Sequence, residues 1–191
     1  FETVKKLLAT KTLISVNVDT YQNAGANSVQ QIAYALAHAI EYFTHFGEET
    51  ANNIQFNFSI GNNFFFEIAK IRAFRYLYKL ILNEYTINYE AKIYAEPTQI
   101  NKTNTKLNVD KYRNSTETTC AIISNVNTVL NTLNNSKLSQ NFSTENNLQN
   151  IATDNYYIES ITKQLAEKAL AIFKDIEKGG GFLKQLKEGI I

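Results

Sequence analysis

The chain has 191 residues and a formal net charge of +1, with 44% hydrophobic and 12% aromatic residues. That is enough for one domain with a sizeable core and excludes a disordered chain. The balanced charge, with no basic cluster interleaved with aromatics, excludes nucleic acid and an anionic membrane surface as expected partners.

A single cysteine, Cys120, excludes a disulfide framework and fits a reducing compartment, so a cytoplasmic setting is expected and Cys120 reads as a packing residue. No run approaches the ~18 continuous apolar residues of a membrane span. No signal peptide is visible, and the chain opens without Met in what reads as mid-helix, the expectation being a fragment.

Taken in chain order, the first β-prone run is Leu13–Val18. A helix follows, with Ser28 expected as its cap and Ile32, Leu36, Ile40 and Phe43 on one stripe. A second strand, Ile54–Ile60, ends at Gly61-Asn62-Asn63, which frees the backbone and offers side-chain caps to the next helix. That helix is predicted from Phe64 to Glu84, with Phe64, Ile68, Ile71, Leu77 and Ile81 at helical spacing. Glu67, Lys70 and Arg72 interrupt the pattern at distances suited to charge pairing along the helix.

A third strand, Tyr89–Ala95, leads to a weaker helix over Val109–Ser124, rich in Ser and Thr. The fourth strand is Val126–Asn131. The segment Asn134–Asn155 is polar and reads as an irregular or shortened connection, with a short helix around Leu148. The last helix, Ile158–Lys178, is stopped by Gly179-Gly180-Gly181. Strands alternating with helices at a nearly constant interval predict an α/β chain whose strands pair in parallel. A doubly wound sheet fits this rhythm, and so does half of a TIM barrel. Neither G-x-G-x-x-G nor G-x-x-x-x-G-K-[ST] is present, which removes the usual nucleotide sites of doubly wound sheets.

The run from Gly61 to Ala73 resembles the "G-x-x-F-F-x-E-[IV]-A-K-x-R-A" signature of the methylmalonyl-CoA mutase family. Tyr21-Gln22-Asn23-Ala24-Gly25-Ala26 is similar to that family's "x-Q-x-A-G-A" loop. Glu96-Pro97-Thr98-Gln99-Ile100-Asn101-Lys102-Thr103, Arg113-Asn114-Ser115-Thr116-Glu117-Thr118, Tyr156-Tyr157-Ile158-Glu159 and Gly180-Gly181-Phe182 resemble further segments in the same order. The resemblance covers most of the chain. It implies a partial TIM (β/α)8 barrel, the C-terminal four βα units of a mutase-type barrel spanning 1–191, with the cobalamin-binding domain absent.

The family interconverts methylmalonyl-CoA and succinyl-CoA, an isomerase reaction that uses adenosylcobalamin as radical source. In such barrels the site lies at the C-terminal ends of the strands, here Asp19-Thr20, Gly61-Asn62, Tyr94-Ala95-Glu96 and the residues around Thr132. Catalytic members carry a Tyr-His pair where this chain has Asp19-Thr20, and His-x-Gln where it has Tyr94-Ala95-Glu96. A threonine cannot act as an imidazole does near neutral pH, and an ionised Glu96 would repel an anionic acyl group. The resemblance therefore points to the small, non-catalytic subunit of bacterial heterodimeric mutases, with no catalytic residue at Asp19, Thr20, Tyr94 or Glu96. Gln22, Asn62 and Thr98 are the substrate-face candidates.

The cobalamin signature D-x-H-x-x-G is absent, so adenosylcobalamin is not expected to bind this chain alone. His38 and His45 lack a third metal ligand and read as packing or surface residues. Arg72 and Arg75 read as a solvated helix face or a partner for Glu67, and Arg75 or Arg113 as a contact for a CoA phosphate or another subunit. The implied partners are a catalytic mutase subunit or the missing barrel half, with acyl-CoA in the full enzyme. Two alternatives stay open: a diverged catalytic half-domain, and a stand-alone α/β binding module. A half barrel should leave strand edges unpaired and deprive the inner faces of Phe56, Phe58 and Ile93 of an opposite wall.

Overall fold

The computed structural model describes residues 13–103, 107–131, 136–139 and 153–191. Thr132 and the expected helix around Leu148 lie outside them. Strands β1 (Ile14–Asn17), β2 (Ile54–Ile60), β3 (Lys92–Pro97) and β4 (Thr128–Asn131) lie side by side in chain order, each parallel to the next. Between and after them run α1 (Val18–Asn23), α2 (Ser28–Phe46), α3 (Phe64–Glu84), α4 (Leu107–Ile123), α5 (Tyr156–Lys178) and α6 (Phe182–Lys187). A short 3-10 turn, Glu48–Asn53, leads into β2. This is the α/β alternation expected of a partial βα barrel, because parallel neighbours require a crossover and a helix supplies it.

Local chemistry sets the helix starts. Asn27, not Ser28, caps α2: its side chain accepts the Gln30 N–H at 3.0 Å, and Gln30 returns the bond to the Asn27 N–H at 2.9 Å. Asn155 caps α5 by accepting from Tyr157 and Ile158, so that helix starts two residues before its apolar stripe. The Asn62-Asn63 junction supplies no side-chain cap to α3; the main-chain carbonyl of Asn63 accepts the Glu67 N–H at 2.9 Å. After α5, Gly180 and Gly181 take φ of +105° and +88°, conformations that side chains with a Cβ resist.

The third strand is displaced towards its C-terminus, Lys92–Pro97 in place of Tyr89–Ala95, because pairing with β2 begins at Gln55 opposite Lys92. Strand β5 (Ser136–Ser139) was not foreseen: it pairs antiparallel with β4 inside the segment read as an irregular connection.

The sheet has one apolar and one polar face. The rows Val16–Phe56–Ile93 and Phe58–Ala95–Val129 face the helices and are buried. Phe56 and Phe58 meet the Phe74 ring at 4.6 Å and 5.0 Å between centroids, and Phe56 meets Tyr78 at 4.9 Å. This corrects the expectation that Phe56, Phe58 and Ile93 look towards a missing wall, since the helices of this chain already cover them. The row on the other side is Asn17–Asn57–Tyr94–Thr128. There Asn57 Nδ2 donates to Asn17 Oδ1 at 2.7 Å, and Gln55 Nε2 donates to Asn57 Oδ1 at 2.8 Å. A face of amides and hydroxyls needs no second apolar wall to be stable in water. No helix among the described residues is long and apolar enough to cross a membrane.

Candidate functional site

The C-terminal ends of β1, β2 and β3 gather the residues singled out in the sequence. Helix α1 follows β1 without a break and packs against β2, which carries Asp19 and Gln22 over the strand ends. Gln22 Nε2 donates to the Thr98 hydroxyl at 3.2 Å, joining the loops after β1 and β3. Beneath them lies Gly61: a Cβ there would stand 3.1 Å from Glu67 Oε1 and 4.0 Å from Gln22 Nε2. A side chain there would crowd the Glu67 carboxylate, whereas the Gln22 amide would stay at ordinary contact distance. Asn62 is exposed beside it.

Asp19, Tyr94 and Glu96 come together. Burial holds the Glu96 carboxyl above its ordinary range, and the Asp19 carboxylate raises it further. Burial likewise raises the Tyr94 phenol, with Glu96 and Asp19 adding to it. Asp19 Oδ1 and Gln22 Oε1 are buried acceptors without a hydrogen-bond partner. These groups can accept and share protons, but they bring no cation with which to hold a negative charge. Thr20 does not join them. It lines a separate cavity of about 620 Å3 with Tyr21, Gly25, Tyr34, His38 and Phe182.

Under the strand ends sits a polar network that joins three elements, rather than a charge pair along one helix. Lys70 has no solvent exposure, and its Nζ lies 2.6 Å from Glu67 Oε2. It also donates to Gln31 Oε1 at 3.0 Å and to the Ser59 carbonyl at 2.9 Å. Gln31 in turn donates to the Ala26 carbonyl at 2.8 Å, so the loop before α2 is tied to β2 and α3 through one buried ammonium. The signal was present: Lys70 precedes Phe74 and Leu77 by four and seven residues, on the buried stripe rather than the solvated one.

The arginines have other partners than those expected. Glu67 is taken by Lys70; Arg72 pairs with Glu159 on α5. Arg75 donates to the carbonyls of Ala91 and Asn125 at 3.1 Å and 2.6 Å. Arg113 donates to the Asn101 carbonyl at 2.5 Å and lies 3.6 Å from Asp110. Beside it, buried Glu117 accepts from Asn101 and Lys102 and holds the loop after β3.

His38 is a packed residue: Nδ1 lies 2.7 Å from the Tyr21 hydroxyl, and the ring stacks on Phe182 at 4.6 Å. Burial pushes its pKa down to about 4. His45 falls within the last turn of α2, not beyond the helix, and lies 2.9 Å from Glu41. Cys120 is buried, approaches the Phe64 carbonyl at 3.4 Å, and has its thiol pushed up to about 12 by burial. A thiol so held is a packing group.

The family model described as methylmalonyl-CoA mutase matches residues 1–191. The chain is 35% identical to the methylmalonyl-CoA mutase small subunit of Porphyromonas gingivalis, over 89% of this chain and 32% of that protein. It is 30% identical to the methylmalonyl-CoA mutase of Cereibacter sphaeroides, over 92% of this chain and 29% of that one. The human mitochondrial methylmalonyl-CoA mutase is 25% identical over 100% of this chain and 29% of its own length. The chain thus spans about a third of the length of these relatives.

Proposed function

This chain belongs to the methylmalonyl-CoA mutase family, and from that premise we propose that it is the C-terminal part of a mutase-type barrel domain in a non-catalytic small subunit. Its partner would be a catalytic mutase subunit that interconverts methylmalonyl-CoA and succinyl-CoA, in the cytoplasm. The observation that carries the reading is the meeting of Asp19, Tyr94 and Glu96 at the strand ends. An acyl-CoA with a carboxylate on its acyl group is best held there by a cation. This chain offers none: two carboxyls that repel the group stand beside a single phenol donor. The likeness to a relative called a small subunit supports the same assignment.

Adenosylcobalamin does not fit the residues of this chain. Its two imidazoles are engaged, His38 between Tyr21 and Phe182 and His45 with Glu41, and both lie on α2 rather than at the strand ends. The cofactor is therefore assigned outside these residues, and no step of the rearrangement is routed through them. The chain's own contribution is structural: Gln22, Gly61 and Thr98 shape the strand-end loops, and the Asn17–Asn57–Tyr94–Thr128 row would line the barrel interior.

The test is turnover and cofactor binding by the purified chain. Neither the wild type nor a Thr20→His, Tyr94→His variant is expected to convert either acyl-CoA ester or to bind adenosylcobalamin. Cobalamin binding at micromolar concentration, or turnover by either form, would overturn the assignment.

A further inference from the structure

At the opposite end of the sheet from the strand-end loops, a cavity of about 250 Å3 lies between α3, the entry to β3 and the end of α4. Arg72, Arg75 and Lys79 stand along one stripe of α3, at spacings of three and four residues, and all three line it. Glu90 is the one carboxylate in the lining. Tyr78 and Tyr89 add their rings, and Ile123 supplies apolar surface.

The donors are what single this cavity out. Arg75 is pinned by its terminal nitrogens to the carbonyls of Ala91 and Asn125, and Arg72 is anchored by one terminal nitrogen to Glu159. In both, the Nε–H is buried and without a hydrogen-bond partner. The Tyr78 hydroxyl is also buried and unpartnered, on a side chain only 1% exposed. Three residues that line one cavity thus each carry a buried donor without a partner, and an acceptor that reached such a donor would relieve its desolvation cost. Guanidiniums already fixed, Arg75 by backbone carbonyls and Arg72 by the Glu159 carboxylate, lose little freedom when an acceptor arrives, so they are preorganised for it.

We propose that this cavity is a binding site for a small organic anion, whose phosphate or carboxylate group is held by Arg72, Arg75, Tyr78 and Lys79. The site is separate from the strand-end loops and does not depend on the reading of those loops. The exposed Glu90 opposes the ligand and sets an upper limit on its affinity.

The test is an NMR titration of the full chain, uniformly labelled with 15N, following the Nε–H resonances of Arg72 and Arg75. Inorganic phosphate is the titrant in one arm and glutarate in the other. At least one should shift both resonances saturably, and the tighter titrant identifies the head group. Tyr78→Phe, which deletes only an unbonded hydroxyl, should weaken binding about tenfold. Lys79→Ala, at an exposed position, should weaken it as well, whereas Glu90→Gln should tighten it. The proposal is overturned if neither titrant saturates, or if the shifts persist unchanged in both the Tyr78→Phe and the Lys79→Ala variant.

Discussion

Lys70 Nζ lies 2.6 Å from Glu67 Oε2 in a place where the lysine has no contact with solvent. One turn of α3 thus carries an ion pair that also fastens Ser59 of β2 and Gln31 of α2. Taking away one member of such a pair strands the other charge in a poorly solvated interior. Glu67→Ala should therefore destabilise the chain by about 3–5 kcal/mol. A matched Glu67→Leu, Lys70→Met pair should recover much of that loss. Urea unfolding of the three proteins checks this, and a Glu67→Ala cost below ~1 kcal/mol would show that the ammonium is solvated after all.

Gly61 depends on the same carboxylate. A methyl group at this position would stand 3.1 Å from Glu67 Oε1, closer than ordinary contact. Gly61→Ala should push the carboxylate away from Lys70 and cost about 1 kcal/mol or more by crowding. Combined with Glu67→Ala, the substitution should cost less than it does alone, because the group in the way has been removed. A double-mutant cycle measures the coupling.

Glu96 and His38 give pH dependences of opposite sign. The Glu96 carboxyl is held above its ordinary value of 4.5, so the folded chain binds that proton more tightly than the unfolded chain does. Its contribution is present below the ordinary carboxylate range and is lost as pH rises through the folded value. Asp19→Asn removes the second cause of the shift and should lower the Glu96 titration point, read from its side-chain carbon by NMR. No movement of that point would separate the two carboxyls.

His38 works the other way. Its pKa falls from 6.5 to about 4 on folding, so between those values the unfolded chain binds the extra proton. Stability from the neutral imidazole is full above 6.5 and is lost as pH falls towards 4. His38→Gln should flatten this limb of the stability curve and leave the limb that depends on Glu96 in place.

The barrel assignment predicts a change in protection at the edge of the sheet. Among the described residues β1 pairs only with β2, which leaves one row of its backbone groups without strand partners. Adding the N-terminal part of the barrel should slow amide exchange across Ile14–Asn17. Unchanged exchange in a stable complex would favour an open sheet over half a barrel.

The elements themselves were written in local chemistry. The stripe from Phe64 to Ile81, the Gly179-Gly180-Gly181 stop and the even spacing of strands fix helices, strands and parallel order, because period and turn residues act over a few positions. The strand-end residues were legible too, through the resemblance that marks Gly61 and the Asp19 and Glu96 positions. Which side of the sheet is buried was not legible. Alternation alone assigns Phe56 and Phe58 to one face and Asn57 to the other, but either face could have been the inner one until the helices were placed against it. The partners of long charged side chains stayed hidden for the same reason. Along the helix only Lys70, three residues on, was within pairing reach of Glu67, and packing against β2, β3 and α5 sent Lys70 inward to Ser59 as well, Arg72 to Glu159 and Arg75 to the carbonyls of Ala91 and Asn125. Sequence spacing settles which groups can meet on one helix, and burial between elements settles which of them do.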